Sequence, residues 1–128
     1  MNTTIIIIAV LFLLFLVYKS RTQSQGDFTN IGAGELNKLL KDNPDLVILD
    51  VRMPKEVAGG KVKNALEINV LSPNFSKEIA NLDKSKPYLV YCRSGNRSAK
   101  ACNTMSKQAF GNLYNLQGGY SAWLKKDK

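Results

Sequence analysis

Residues 91–98 read YCRSGNRS. The apolar run Tyr88–Leu89–Val90 precedes the thiol and Ala99–Lys100–Ala101 follows the stretch. Cys92 therefore closes a buried strand and, after four further residues, Arg97 and Ser98 open a helix. If residues 92–97 curl back, several backbone N–H groups point into one ring at the positive end of the helix dipole. Gly95 permits a positive φ in that turn, and Arg93 and Arg97 add two permanent charges. All of these favour thiolate over thiol, and cysteines in such settings fall from about 8.5 to about 3.5–7.5. The stretch predicts that Cys92 is an activated nucleophile in an anion cradle that needs no histidine base.

No histidine occurs among the 128 residues, which excludes Cys–His and Ser–His–Asp catalysis and most metal sites. Two cysteines are too few for a structural zinc cluster, so no metal is expected. A predicted turn and helix separate Cys92 from Cys102, which favours free thiols over a disulfide and points to a reducing compartment. The composition, 45% hydrophobic and 22% charged, suits one compact domain without room for a second core. Eighteen basic against ten acidic residues give a net charge of +8. The basic residues are scattered, without the runs or aromatic interleaving of a nucleic-acid binder, so the charge reads as a solvated face and no nucleic-acid partner is expected.

Residues 5–18, IIIIAVLFLLFLVY, are uncharged and apolar. As a helix they reach about 21 Å against about 30 Å of hydrocarbon, short unless the flanking residues join the span. No basic residue stands in front and no A-x-A pattern follows, so a membrane anchor is the reading preferred over a cleaved signal peptide. Lys19 and Arg21 behind the run place the remainder of the chain on the cytoplasmic side, with export to the periplasm as the alternative. The expected organisation is a transmembrane helix or signal anchor over 1–20, a polar linker over 21–27 and a folded domain over 28–128.

Within the domain, short apolar runs alternate with helical patterns. Helices are predicted from Gly34 to Leu40, from Pro54 to Gly59–Gly60, from Ser72–Pro73 to about Leu82, over 97–110 and over Tyr120–Lys125. Strands are predicted at Leu46–Leu49, Ala65–Val70, Tyr88–Val90 and Leu113–Leu116. This order implies an α/β domain with a parallel sheet and helices on both faces. Ligands then bind outside the carboxyl ends of the strands, where Cys92 stands.

YCRSGNRS resembles the active-site loop of the rhodanese family of sulfurtransferases, and the resemblance extends to Leu49–Asp50–Val51–Arg52–Met53–Pro54–Lys55–Glu56 ahead of it and Gly118–Gly119–Tyr120–Ser121–Ala122–Trp123 behind it. It covers about residues 28–125. The resemblance implies a three-layer domain of about five parallel strands. It also implies a cofactor-free double displacement, in which a cysteine takes sulfane sulfur from a donor such as thiosulfate and passes it to cyanide or a thiol. Carried over by position, Cys92 is the nucleophile and persulfide carrier. Arg93, Ser94, Gly95, Asn96, Arg97 and Ser98 form the substrate-binding cradle, with both arginines nearest the donor anion. Asp50, Arg52 and Glu56 match the family's DVR-x-x-x-E pattern and are expected to support the loop floor through ion pairs and hydrogen bonds.

Phosphatases and arsenate reductases of related design use a ring one residue longer, so that activity is the secondary enzymatic reading. The rival from another class is a persulfide carrier or partner-docking module that turns thiosulfate over poorly. Lys61 stands where many members have histidine, which bears on local packing. Cys102 reads as a small core hydrophobe, with a resolving thiol as the sharper alternative, and Tyr120 and Trp123 read as packing for the last helix.

Overall fold

The computed structural model describes residues 2–21 and 26–126. An N-terminal helix α1 (Thr3–Arg21) is followed by β1 (Thr29–Ile31), a 3₁₀ turn at Ala33–Glu35 and α2 (Leu36–Asp42). Next come β2 (Val47–Asp50), α3 (Pro54–Ala58), β3 (Leu66–Glu67) and α4 (Phe75–Ala80). The domain ends with β4 (Tyr88–Tyr91), α5 (Asn96–Lys107), β5 (Leu113–Leu116) and α6 (Gly119–Lys125). The strands form one five-stranded parallel sheet in the order β1-β5-β4-β2-β3.

Side chains alternate across a strand, so each strand feeds two cores. From β4, Tyr88 and Val90 join Leu49, Phe75, Ile79, Ala101, Cys102 and Met105 on the face covered by α4 and α5. Leu89 and Tyr91 join Ile31, Leu36, Ile48 and Leu116 on the face covered by α2 and α6. Both faces are apolar, which is why β2 and β4 read as continuous hydrophobic runs. Cys92 keeps the parity of Val90 and so lies on the α5 side.

Three expectations change. The strand Ala65–Val70 shrinks to two residues at the sheet edge. Beyond it, the amides of Ile68 and Val70 still bond the carbonyls of Asp50 and Val51, at 2.9 and 3.1 Å. The fifth strand, β1, has no counterpart among the predicted runs, because its three residues place only Ile31 in the core. α5 starts at Asn96, one residue before the predicted boundary.

The expected transmembrane helix is not supported. Residues 3–21 are helical, and the large apolar side chains from Ile5 to Tyr18 are 43–67% exposed. Yet among the described residues no helix is long and apolar enough to cross a membrane. The uncharged run falls short of the hydrocarbon thickness, the shortfall visible in its length. The expected linker, 21–27, falls largely on 22–25, outside the described residues.

α6 is placed by the turn Gly118–Gly119. The amides of Tyr120 and Ser121 bond the carbonyls of Cys92 and Arg93 at 2.8 and 3.1 Å, tying the helix to the loop after β4. Gly119 sits between them with φ +58°, and a Cβ there would lie 2.5 Å from the Cys92 carbonyl oxygen and 2.6 Å from that of Arg93. Only glycine satisfies both the backbone angle and the approach. Gly119→Ala is expected to cost about 1–3 kcal/mol in a urea denaturation, and an unchanged transition would contradict this placement.

Candidate functional site

The loop leaves β4 at Cys92 and re-enters helix at Asn96 through Gly95, whose φ of +104° turns the chain sharply. That turn brings the first amides of α5 back over the sulfur. The Gly95 N–H donates to Cys92 Sγ at 3.1 Å, and Ser98 Oγ lies 3.4 Å from the same sulfur. Burial pushes the thiol up, but the Ser98 hydroxyl and the amides of Ser98, Gly95 and Ser94 outweigh it and hold Cys92 below its ordinary value. The predicted ring of amide donors is therefore present. Cys92 itself is 1% exposed, on the floor of the loop, while Arg93, Ser94 and Asn96 face solvent and Gly95 and Ser98 are buried.

Of the two arginines, Arg97 is engaged outside the ring. Arg97 donates to both carboxylate oxygens of Glu56, at 2.7 and 2.8 Å, in a half-buried fork. Its guanidinium still senses the sulfur, but it is turned to α3. Arg93 is exposed. Neutral dipoles at the ring, more than guanidinium charge, thus set the state of the sulfur.

The three supporting residues divide between two places. Glu56 closes the loop's flank through Arg97, and that partner holds its carboxyl below the usual range. Asp50 and Arg52 form a buried pair instead on the α2–α6 face, at 2.8 Å. Arg52 also donates to the Gly60 carbonyl at 2.7 Å and lies over the Tyr120 ring at 4.3 Å. Tyr91 donates to Asp50 at 2.6 Å and accepts the Val62 amide at 3.1 Å. This network braces the end of β2 and touches no loop atom in the described bonds. Lys61 is held by Glu67 at 2.8 Å and the Ala65 carbonyl at 3.1 Å, a packing role.

One participant escaped the sequence. Asn115, buried on β5, accepts the Ser98 hydroxyl at 2.6 Å and donates to the Gly95 carbonyl at 3.3 Å. An asparagine inside the run Leu113–Leu116 was the available signal, since a polar residue in a buried strand needs partners. Cys102 is buried and free, and burial pushes its thiol up to about 12, which suits a core residue and not a nucleophile. Among the described residues no group of carboxylates and thiols could hold a metal ion. Two surface cavities, of about 480 and 560 Å³, lie away from Cys92, beside Leu39 and beside Trp123 respectively.

The rhodanese-like domain family model matches residues 32–126. A sulfurtransferase of Allochromatium vinosum is 36% identical over 96 residues, covering 74% of this chain and 87% of that protein. A tRNA uridine(34) hydroxylase of Acaryochloris marina is 34% identical over 82% of this chain, but the chain spans only 34% of its length. The crystal structure of a rhodanese-related protein from Thermoplasma volcanium superimposes with a TM-score of 0.67 at 30% identity, covering 77% of this chain and 92% of that one.

Because Cys92 titrates lower folded than unfolded, its contribution to stability is present above the free-thiol value and is lost as pH falls through the folded value. Ser98→Ala removes one of the groups that hold it down. The pH profile of Cys92 alkylation should then move up by about one unit. An unmoved profile would show that the hydroxyl does not serve the thiolate.

Proposed function

The chain belongs to the rhodanese-like domain family, and on that premise we propose that it moves sulfane sulfur from a small anionic donor, such as thiosulfate, to a thiophilic acceptor through a persulfide on Cys92. The Cys92 thiolate attacks the outer sulfur of the donor, an S–S bond forms, and the bond to the leaving group breaks with its electron pair, releasing sulfite when the donor is thiosulfate. Cyanide or a thiol then attacks the outer sulfur of the persulfide and returns Cys92 as thiolate. The observation that carries this reading is the convergence of loop amides on one buried sulfur. The same amides can follow the negative charge outward when it moves to the second sulfur. Arg93, Ser94 and Asn96, exposed around the loop, meet the donor, while Arg97 and Glu56 keep the ring closed.

The 1% exposure of Cys92 favours a second reading, in which the loop opens only against a specific protein and thiosulfate is a poor donor. A phosphatase or arsenate reductase is the less favoured enzyme, since four residues between Cys92 and Arg97 make a small ring.

For α1 the reading is attachment to a bilayer. Its support is a helix apolar on every side, with exposed side chains from Ile5 to Tyr18 that water does not favour. Lys19 and Arg21 follow the apolar run while no basic residue precedes it, a bias that favours the cytoplasmic side for the rest of the chain. The full chain should stay with membranes after an alkaline wash, and alkaline phosphatase fused after residue 128 should be inactive; recovery in the wash, or an active fusion, contradicts attachment or orientation respectively.

Incubated with thiosulfate, the wild type should gain about 32 Da on Cys92 and turn over cyanide, and Cys92→Ser should do neither. An adduct with negligible turnover selects the carrier reading. No adduct from thiosulfate or from a persulfide donor rejects sulfur transfer altogether.

A further inference from the structure

Asn115 is 3% exposed, and each half of its amide is engaged. The nitrogen donates to Asn30 Oδ1 at 3.0 Å and to the Gly95 carbonyl at 3.3 Å. The oxygen accepts from Ser98 Oγ at 2.6 Å. A carbonyl can only accept, so the nitrogen faces Gly95 and the oxygen faces Ser98, whose hydroxyl must be the donor of that short bond. Ser98 Oγ also lies 3.4 Å from Cys92 Sγ.

A serine hydroxyl has one proton, and two acceptors here ask for it. With Cys92 as a thiol there is no conflict: the S–H donates to Ser98 Oγ and the hydroxyl donates onward to Asn115. With Cys92 as thiolate, sulfur and amide oxygen compete, and whichever loses is a buried acceptor short of a donor. We propose that Asn115 is a positioning residue that opposes ionisation of Cys92, competing with its sulfur for the Ser98 hydroxyl proton and so setting where the thiol titrates.

This deepens the sulfur-transfer reading. In a persulfide the charge sits on the outer sulfur, Sγ is neutral, and the hydroxyl returns to Asn115 without loss. Asn115 thus burdens the free thiolate and spares the loaded form, which favours a carrier that holds its sulfur until an acceptor arrives.

Other charges around Cys92 are committed elsewhere. Arg97 on α5 is paired with Glu56 on α3. Asp50, Arg52 and Tyr91 are bonded together on the other face of the sheet. Arg93 on the loop faces solvent, and Cys102 further along α5 is buried with its thiol pushed up. None of them bonds Ser98.

The test is the pH profile of Cys92 alkylation by iodoacetamide on the full chain in detergent, read by peptide mass spectrometry so that Cys102 is scored apart. Asn115→Leu should move the midpoint down by about 0.7 unit, and the shift should vanish when Ser98→Ala is also present. An upward or absent shift, or the same downward shift without the Ser98 hydroxyl, overturns the proposal. If Asn115→Leu does not fold, Asn115→Asp serves: its midpoint should rise, and rise less in the Ser98→Ala background, while an equal rise in both backgrounds overturns the proposal. Thiol titration needs no sulfur donor, so its failure is distinct from failure of the sulfur-transfer reading.

Discussion

The site depends on where two carbonyl groups point. In a trans peptide the C=O of one residue and the N–H of the next are fixed in opposite directions. The first amides of α6 draw the carbonyls of Cys92 and Arg93 outward, at 2.8 and 3.1 Å, and the N–H of Ser94, opposite the Arg93 carbonyl, is thereby turned toward the sulfur. A short C-terminal helix, remote in sequence from the thiol, thus orients the dipoles that act on it. Gly119 makes this contact because backbone must meet backbone there.

The dipoles matter more than the charges. Desolvation at a buried sulfur is the largest single influence on Cys92 and opposes the thiolate. Several hydrogen bonds reverse it together, although each is modest by itself. An unpaired arginine would do the same work at longer range, but Arg97 gives both prongs of its fork to Glu56. The result is a cradle that is polar and preorganised yet carries little free charge at its floor, which suits a negative charge that shifts by one bond length during sulfur transfer.

The DVR-x-x-x-E segment does two unrelated jobs, and strand geometry explains the split. Asp50 ends β2 on the same side as Ile48, so its carboxylate belongs to the α2–α6 face, where Arg52 and Tyr91 satisfy it and the Tyr120 ring lies against Arg52. Glu56 belongs to α3, beyond the strand, and reaches across to α5. Removing one partner from the buried Asp50 pair would strand a charge, whereas the half-buried Glu56 pair can part at smaller expense.

Much of this was legible in the residues alone. Periodicity and turn residues located four of the five strands, and YCRSGNRS announced a helix-capping loop around a thiol, because Gly95 supplies the positive φ that such a turn needs. What a linear pattern cannot contain is pairing across the sheet. β1 has too few core residues to show as a strand, Arg97 finds a carboxylate 41 positions away, and Ser98 meets an asparagine 17 positions on. The sequence by itself determined the α/β order and the chemical identity of the loop, since both follow from local preference and burial period. Only the tertiary structure decided which groups speak to the sulfur, since hydrogen bonds reach about 3 Å and depend on which strands and helices the fold brings side by side.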